Sequence, residues 1–278
     1  MSINRAEAQA YVEAEIATYV DPKVGYPANH FAFIKAREKF AAHGVRNLVE
    51  VGVGHGFAIP VFSAEGIEMA GFDIKAELVT ESQERARDFG QNPDHFIVAD
   101  IEDSSTYANL EGVGKFDALV AMGVLPHVHN EDLALQNMLH LVRPGGEVLI
   151  EFRNSLFSLF TFNRYTREFI LDDLLEGASE SSKSIMDAAL SQRIDVNTPG
   201  PSTSAFHNPF EVEKTFKRLG FIDPEIIPFH YHAFMPSQES VDPQEFRSAS
   251  IALESEDSGW RGLFLCSAFV VHATTPRS

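Results

Sequence analysis

The stretch Asn47-Leu48-Val49-Glu50-Val51-Gly52-Val53-Gly54-His55-Gly56 constrains this chain more than any other. A short apolar run leads into three glycines at alternate positions, and a helical pattern follows. This reads as a buried strand, a tight turn whose backbone presses against a ligand, and a helix start whose open amides attract negative or hydrogen-bonding atoms. A dinucleotide fingerprint spaces its glycines Gly-x-Gly-x-x-Gly. Here the third glycine comes one residue early, Phe57 stands in its place, and Glu50 precedes the first glycine by two. A turn with no ligand is the plain alternative, and other residues must decide between them.

A chain of 278 residues accommodates one large domain, or one domain with an insertion. Its 44% hydrophobic content is ordinary and supports a sizeable core, while 23 phenylalanines suggest a thick core or an aromatic-lined pocket. The formal net charge of −18, with no run of Lys or Arg, argues against a nucleic-acid partner and is compatible with a cationic substrate. No apolar run is long enough for a transmembrane helix, so no membrane partner is expected. The first residues lack the apolar core of a signal peptide. The single cysteine, Cys266, lies in an apolar strand pattern, reads as a small buried side chain, and precludes an intrachain disulfide. A reducing cytoplasm is the expected location. The oligomeric state is left open, a homodimer included.

Asn4 and Glu7 form a capping-box pattern for a helix to about Tyr19, and Asn29 is placed to cap a second helix that turns Phe31, Ile34 and Phe40 inward and stops at Gly44. Residues 1–45 are read as a helical cap, and residues 46–278 as the core. After the glycine turn, strands are expected at Ile67–Phe72, His95–Ala99, Phe116–Met122 and Glu147–Phe152, the first two ending at Asp73 and Asp100. Helices are expected between them, at about Lys75–Phe89, with a Glu81–Arg85 pair, and after the cap Asn130. Such β-α alternation implies a mainly parallel sheet with helices on both faces. The regularity fails over about residues 154–205, read as a substrate-covering insertion with a helical middle and a flexible stretch at Asn197–Ser202. A capped helix at Asn208-Pro209, a strand containing Ile226, Ile227 and Phe229, a helix near Pro243–Leu253 and a last strand at Leu263–Thr274 complete the chain.

In an open α/β sheet, ligands bind at the carboxyl ends of the strands. Asp73, 17 residues beyond Gly56, suits a ribose diol; Asp100 suits an adenine amino group, with Ile101 covering a ring face. A strand-end cap is the alternative for either residue alone. With these residues placed, the stretch Leu48–Phe152 resembles the nucleoside-binding half of class I S-adenosylmethionine-dependent methyltransferases. Val49-Glu50-Val51-Gly52-Val53-Gly54-His55-Gly56 is similar to the first motif, Gly71-Phe72-Asp73-Ile74 to the second and Val98-Ala99-Asp100-Ile101 to the third. Phe116 to Val128 and the turn Arg143-Pro144-Gly145-Gly146 are similar to the fourth motif and the approach to strand five. The resemblance implies an α/β, doubly wound, seven-stranded sheet in the order 3-2-1-4-5-7-6, strand seven antiparallel. It implies S-adenosylmethionine as the cofactor, held by Glu50, Gly52, Gly54, Gly56, Asp73, Ile74, Asp100, Ile101 and Met122. The fourth motif lacks the Asn/Asp-Pro-Pro-Tyr pattern of nucleic-acid and glutamine methyltransferases, and no metal set like that of the catechol enzymes is evident, which points to a small-molecule substrate and no obligatory metal.

Methyl transfer to a hydroxyl needs a base, and transfer to a neutral amine needs one less. The candidates are His127 after strand four, His207 beside the insertion, His230 and His232 on one side of a strand, and Tyr165. His207, His230 and His232 are also a possible metal set, secondary to a base or plain polar surface. Arg153, Asn154, Arg164 and Tyr165 follow strand five and are placed to bind an acidic or hydroxylated acceptor. The expected function is methyl transfer from S-adenosylmethionine to oxygen or nitrogen of a small molecule. Its alternatives are a non-catalytic S-adenosylmethionine-binding module and a nicotinamide-dependent oxidoreductase.

Overall fold

The structure, a computed structural model, describes residues 5–21, 23–26, 28–110, 114–195, 197, 205–255 and 259–277. Seven strands form one sheet in the order β3-β2-β1-β4-β5-β7-β6. They are β1 (Asn47–Val51), β2 (Glu68–Asp73), β3 (Phe96–Val98), β4 (Phe116–Ala121), β5 (Val142–Arg153), β6 (Ile222–Tyr231) and β7 (Cys266–Thr274). The first five are parallel, and β7 runs antiparallel to both β5 and β6. This is the order and polarity that the motifs implied.

The central strands are apolar on both faces because helices cover both. α1 (Arg5–Thr18), α2 (Ala28–His43), α3 (Ala58–Ser63) and α4 (Ala76–Asp88) pack on one side. There Phe33, Phe40 and Phe62 meet Leu48, Val120, Leu149 and Val270. On the other side α5 (Glu131–Leu141) sets Leu135 and Met138 against Val51, Leu119 and Ile150. The N-terminal helices therefore share the sheet's own core, and α2 is also bound to β6, through Lys39 and Glu225 at 2.6 Å.

The segment after β5 is folded into short pieces: α6 (Ser158–Thr161), α7 (Arg164–Glu168), a wide turn at Phe169–Leu174, and α8 (Glu180–Ser191), capped by Ser179. Asn154, expected near an acceptor, is fully buried and structural: its side-chain amide donates to the carbonyls of Leu263 and Cys266, and its side-chain oxygen accepts from Leu156 N. α9 (Pro209–Leu219), α10 (Pro243–Glu254) and α11 (Gly262–Leu265) complete the chain. Arg247 of α10 is buried and donates to the carbonyls of Asp21 and Val24, latching the loop between α1 and α2.

Several expected boundaries move. α2 starts at Ala28, so Asn29 lies in its first turn and is not its cap. The Arg143–Gly146 turn is absorbed into β5 as an irregularity of register, held by Gly146 N donating to Thr275 Oγ1 at 3.0 Å. β7 starts at Cys266 because 262–265 wind into α11. Glu81 pairs with His55 at 2.6 Å, and Arg85 lies over the Phe57 ring, 5.0 Å from its centroid, in place of the expected Glu81–Arg85 pair. The cap Asn4 and residues 198–202 of the flexible stretch lie outside the described residues.

Gly71 lets the glycine turn close on β2. A Cβ there would collide with Val53 Cγ1 and stand 2.8 Å from the Glu50 carbonyl. Gly71→Ala is expected to cost about 1–3 kcal/mol by overpacking, read as a lower urea midpoint. An unchanged midpoint would show that the turn is not packed against β2 in this way.

Candidate functional site

Register decides where the site lies. Val51 pairs with Phe72 and with Ala121, and Asp73 pairs with Val98, so β1 to β4 all end at one edge. The loops leaving them enclose a cavity of about 470 Å³. Gly52, Gly54, Asp73, Ile74, Asp100, Ile101 and Met122 line it, as does His127. Glu50 and Gly56 do not.

Gly52 has φ +74°, and a Cβ on it would come within 2.6 Å of Val124 Cγ2. Gly54 faces open space, and its N–H donates to Asp73 Oδ2 at 3.1 Å. The other oxygen of Asp73 accepts from Lys75 N at 3.0 Å. These two amides fix the carboxylate while leaving it acceptor capacity towards the cavity. Asp100 is fixed similarly, with Oδ1 accepting from Glu102 N at 2.9 Å. Gly56 serves packing: a Cβ there would meet Ile59, Arg85 and Ser82 at 3.0–3.3 Å. α3 has six residues, all buried, and none of them lines the cavity.

Glu50 sits under the turn, 1% exposed, with Oε2 lacking any hydrogen-bond partner. Burial raises its pKa well above the ordinary glutamate value, and the negative charge of Asp73 adds to the rise. A buried, unpartnered carboxyl beside a cleft is a site for positive charge. Around the cavity Asp73, Asp100 and Glu102 supply negative charge, against Lys75. That balance suits a cation better than a pyrophosphate.

The catalytic candidates are scattered. His127 is at the cavity wall. His207 Nε2 lies 3.0 Å from both oxygens of Glu131, its ring edge-on to Phe152. His230 and His232 do face each other, with ring centres 5.0 Å apart, but neither lines the cavity. Burial lowers the pKa of His230 to about 3, with help from His232 and Arg153, and that of His232 to about 4. His230 also adopts φ +57°, a strained value for a residue with a side chain, and stacks on Tyr26 at 5.1 Å. Tyr165 packs against Phe206 and under the Arg164 guanidinium. His207, His230 and His232 do not come together as a three-ligand group among the described residues.

Two residues, one lining the cavity and one bonded to its wall, were not expected there from the sequence. Asn29 of α2 reaches the cavity, whereas none of the described residues of 154–205 lines it. Glu151, near the end of β5, accepts from Gly123 N at 2.6 Å, and Gly123 lines the cavity beside Met122. Burial raises the pKa of Glu151, partly offset by the Gly123 hydrogen bond and by Arg153. An acid in an apolar strand after a glycine turn was its one sequence signal.

Residues 49–150 match the family model described as "Methyltransferase domain". The ubiquinone biosynthesis O-methyltransferase of Vibrio atlanticus (strain LGP32) is 28% identical over 154 residues, 55% of this chain and 62% of that protein. Its counterpart from Aromatoleum aromaticum is 25% identical over 147 residues, 53% of this chain and 61% of that protein. The match thus spans about three fifths of the length of these relatives. Among solved structures, the CurJ carbon methyltransferase superposes with a TM-score of 0.52 at 18% identity, covering 90% of this chain and 55% of that one. A SAM-dependent methyltransferase from Archaeoglobus fulgidus gives 0.50 at 17% identity, covering 87% of this chain and 94% of that one. Both share the fold. No described helix is long and apolar enough to cross a membrane.

The raised Glu50 pKa has a measurable sign. Its stabilising contribution is full below the ordinary glutamate pKa and is lost as pH rises through the raised value. Glu50→Gln removes that loss. In ligand-free protein, the Tm gain of the variant over wild type should grow from about pH 5 to about pH 8 by at least ~2–4 °C, the equivalent of one kcal/mol at this size. A gain that stays constant or shrinks would mean that Glu50 is not a buried neutral acid.

Proposed function

We propose that this chain, which carries a methyltransferase domain at residues 49–150 on the class I methyltransferase fold, transfers a methyl group from S-adenosylmethionine to an oxygen or nitrogen of a small-molecule acceptor. One observation carries the reading. A cleft at the ends of β1 to β4 joins Gly52, Gly54, Asp73 and Asp100, and the unpartnered carboxyl of Glu50 lies under the same turn. The acidic lining and Glu50 favour a ligand bearing ammonium and sulfonium charge over a dinucleotide.

The bound cofactor supplies an activated methyl group, so the protein chiefly aligns and desolvates. Asp73 would take the ribose hydroxyls with the lone pairs left after its two amide bonds. Asp100 would take the adenine amino group, with Ile101 and Ile74 against the ring. Gly52 and Gly54 let the backbone approach the methionine portion, and Glu50 beneath them, neutral in the ligand-free protein, would ionise against its positive charge. Asn29 brings the N-terminal helices to the acceptor side. The ubiquinone biosynthesis relatives, named as O-methyltransferases, support oxygen as the acceptor atom.

For the base we assign Glu151, which stands behind Gly123 outside the cavity lining and would take the proton through one water. Gly123 N holds one carboxylate oxygen at 2.6 Å, and the other oxygen makes no hydrogen bond to a described residue. Its raised pKa makes it a better proton acceptor near neutrality than an ordinary carboxylate. His230 and His232, held neutral with pKa values of about 3 and about 4, are poor bases there. His127 stands at the wall as an aligning group.

Transfer of labelled methyl from S-adenosylmethionine to a panel of hydroxylated and amino small molecules tests the reading. Labelled product is expected; cofactor binding without transfer to any compound would favour a binding module. Asp73→Ala should weaken S-adenosylhomocysteine binding about tenfold or more, as loss of charge-assisted hydrogen bonds does, and unchanged affinity would remove Asp73 from the site. Glu151→Gln, which keeps an acceptor for Gly123 N, should leave cofactor affinity intact while lowering kcat by about 10²–10⁴. It should also flatten the fall of wild-type activity as pH drops through the raised pKa. An unchanged kcat and pH profile would exclude Glu151 as the base.

A further inference from the structure

Four titratable side chains meet at the far end of the sheet from the cleft. Glu147 begins the paired core of β5 and His272 lies on β7, both buried. His43 is the last residue of α2, and Glu225 lies on β6 opposite His272. His272 Nε2 is 2.5 Å from Glu147 Oε2, and His43 Nδ1 is 3.6 Å from the other oxygen, Oε1. His272 Nδ1 is 3.6 Å from Glu225 Oε2. The two imidazoles stack at 5.9 Å, tilted by only 18°.

A structural ion pair needs one histidine for one carboxylate. Here a second ring lies parallel to the first and turns its nitrogen to the carboxylate's free oxygen, while a second carboxylate approaches from behind. The permanent cation against this group, Lys39, is already paired with Glu225 at 2.6 Å.

We propose that His43, Glu147 and His272 form a binding site for a divalent transition-metal ion of the zinc type, with water as the fourth ligand and Glu225 behind His272 at its other ring nitrogen. The donor set, two imidazole nitrogens and a carboxylate oxygen, is one that Zn²⁺ and its neighbours Co²⁺ and Ni²⁺ accept. One ligand atom from each of the three residues lies within 4.8 Å of the others. A tetrahedral ion with bonds of ~2.0–2.1 Å wants its ligands about 3.3 Å apart. The adjustment falls to His43, whose side chain is 48% exposed and free to swing. The ion would fasten the end of α2 to β5 and β7, and so fix the helix whose other end carries Asn29 to the cleft. The site stands independently of the methyl-transfer reading.

The test is titration of tag-free, chelator-stripped full-length protein with Zn²⁺ by calorimetry and with Co²⁺ by visible absorption. Wild type, His43→Ala and His272→Gln are compared, with circular dichroism confirming that each is folded. Wild type is expected to bind one equivalent, to show the intense bands of low-symmetry Co²⁺, and to gain thermal stability. His43→Ala, at an exposed helix end, should lose affinity by about tenfold or more, and His272→Gln likewise. Absence of binding in wild type, or binding of equal affinity and stoichiometry in wild type and His43→Ala, would overturn the proposal.

Discussion

The hydrogen bond from Gly54 N to the Asp73 carboxylate ties together the two strand ends on which the site depends. It closes the glycine turn of β1 against the end of β2 and holds the Asp73 side chain at the cavity wall. The turn approaches this closely because Gly71 offers no Cβ to stand in its way. Glu50 is sealed below by the same closure, which strips it of water and of hydrogen-bond partners. Rigid strand packing is thus converted into electrostatic demand at the cleft: an uncompensated carboxyl under the turn and acceptor lone pairs above it.

The sheet, and the gathering of Gly52, Gly54, Asp73 and Asp100 at one cavity, were legible in the sequence because they are local. Strand, turn and next strand fall within a few tens of residues, and glycine spacing with a terminal Asp fixes the geometry of each. The β7 reversal followed from the resemblance, and the register explains it: β7 fills the gap between β5 and β6 with antiparallel pairing on both sides. The glycines looked equivalent and are not, since Gly54 faces the cavity while Gly56 is filled by Ile59, Arg85 and Ser82.

What stayed hidden depends on contacts between distant segments. Glu151 reads as one acid in an apolar strand, and only its bond to Gly123, 28 residues earlier, ties it to the wall of the cleft. His43, Glu147 and His272 span nearly the whole chain and show no spacing pattern. Asn154 pointed the wrong way because residues after a strand end are usually exposed, whereas here α11 and β7 enclose it. The Glu81–Arg85 spacing was right for a helix pair, yet His55 and Phe57 of the glycine turn take the two side chains first. In each case a tertiary partner outcompetes a local one.

The proposed function requires a cleft shaped and charged for a cationic nucleoside cofactor and not for a dinucleotide. Parallel calorimetric titrations of the wild-type chain with S-adenosylhomocysteine and with NADH test it most directly. One site for S-adenosylhomocysteine and no heat of binding for NADH are expected. Saturable binding of NADH with none of S-adenosylhomocysteine would contradict it.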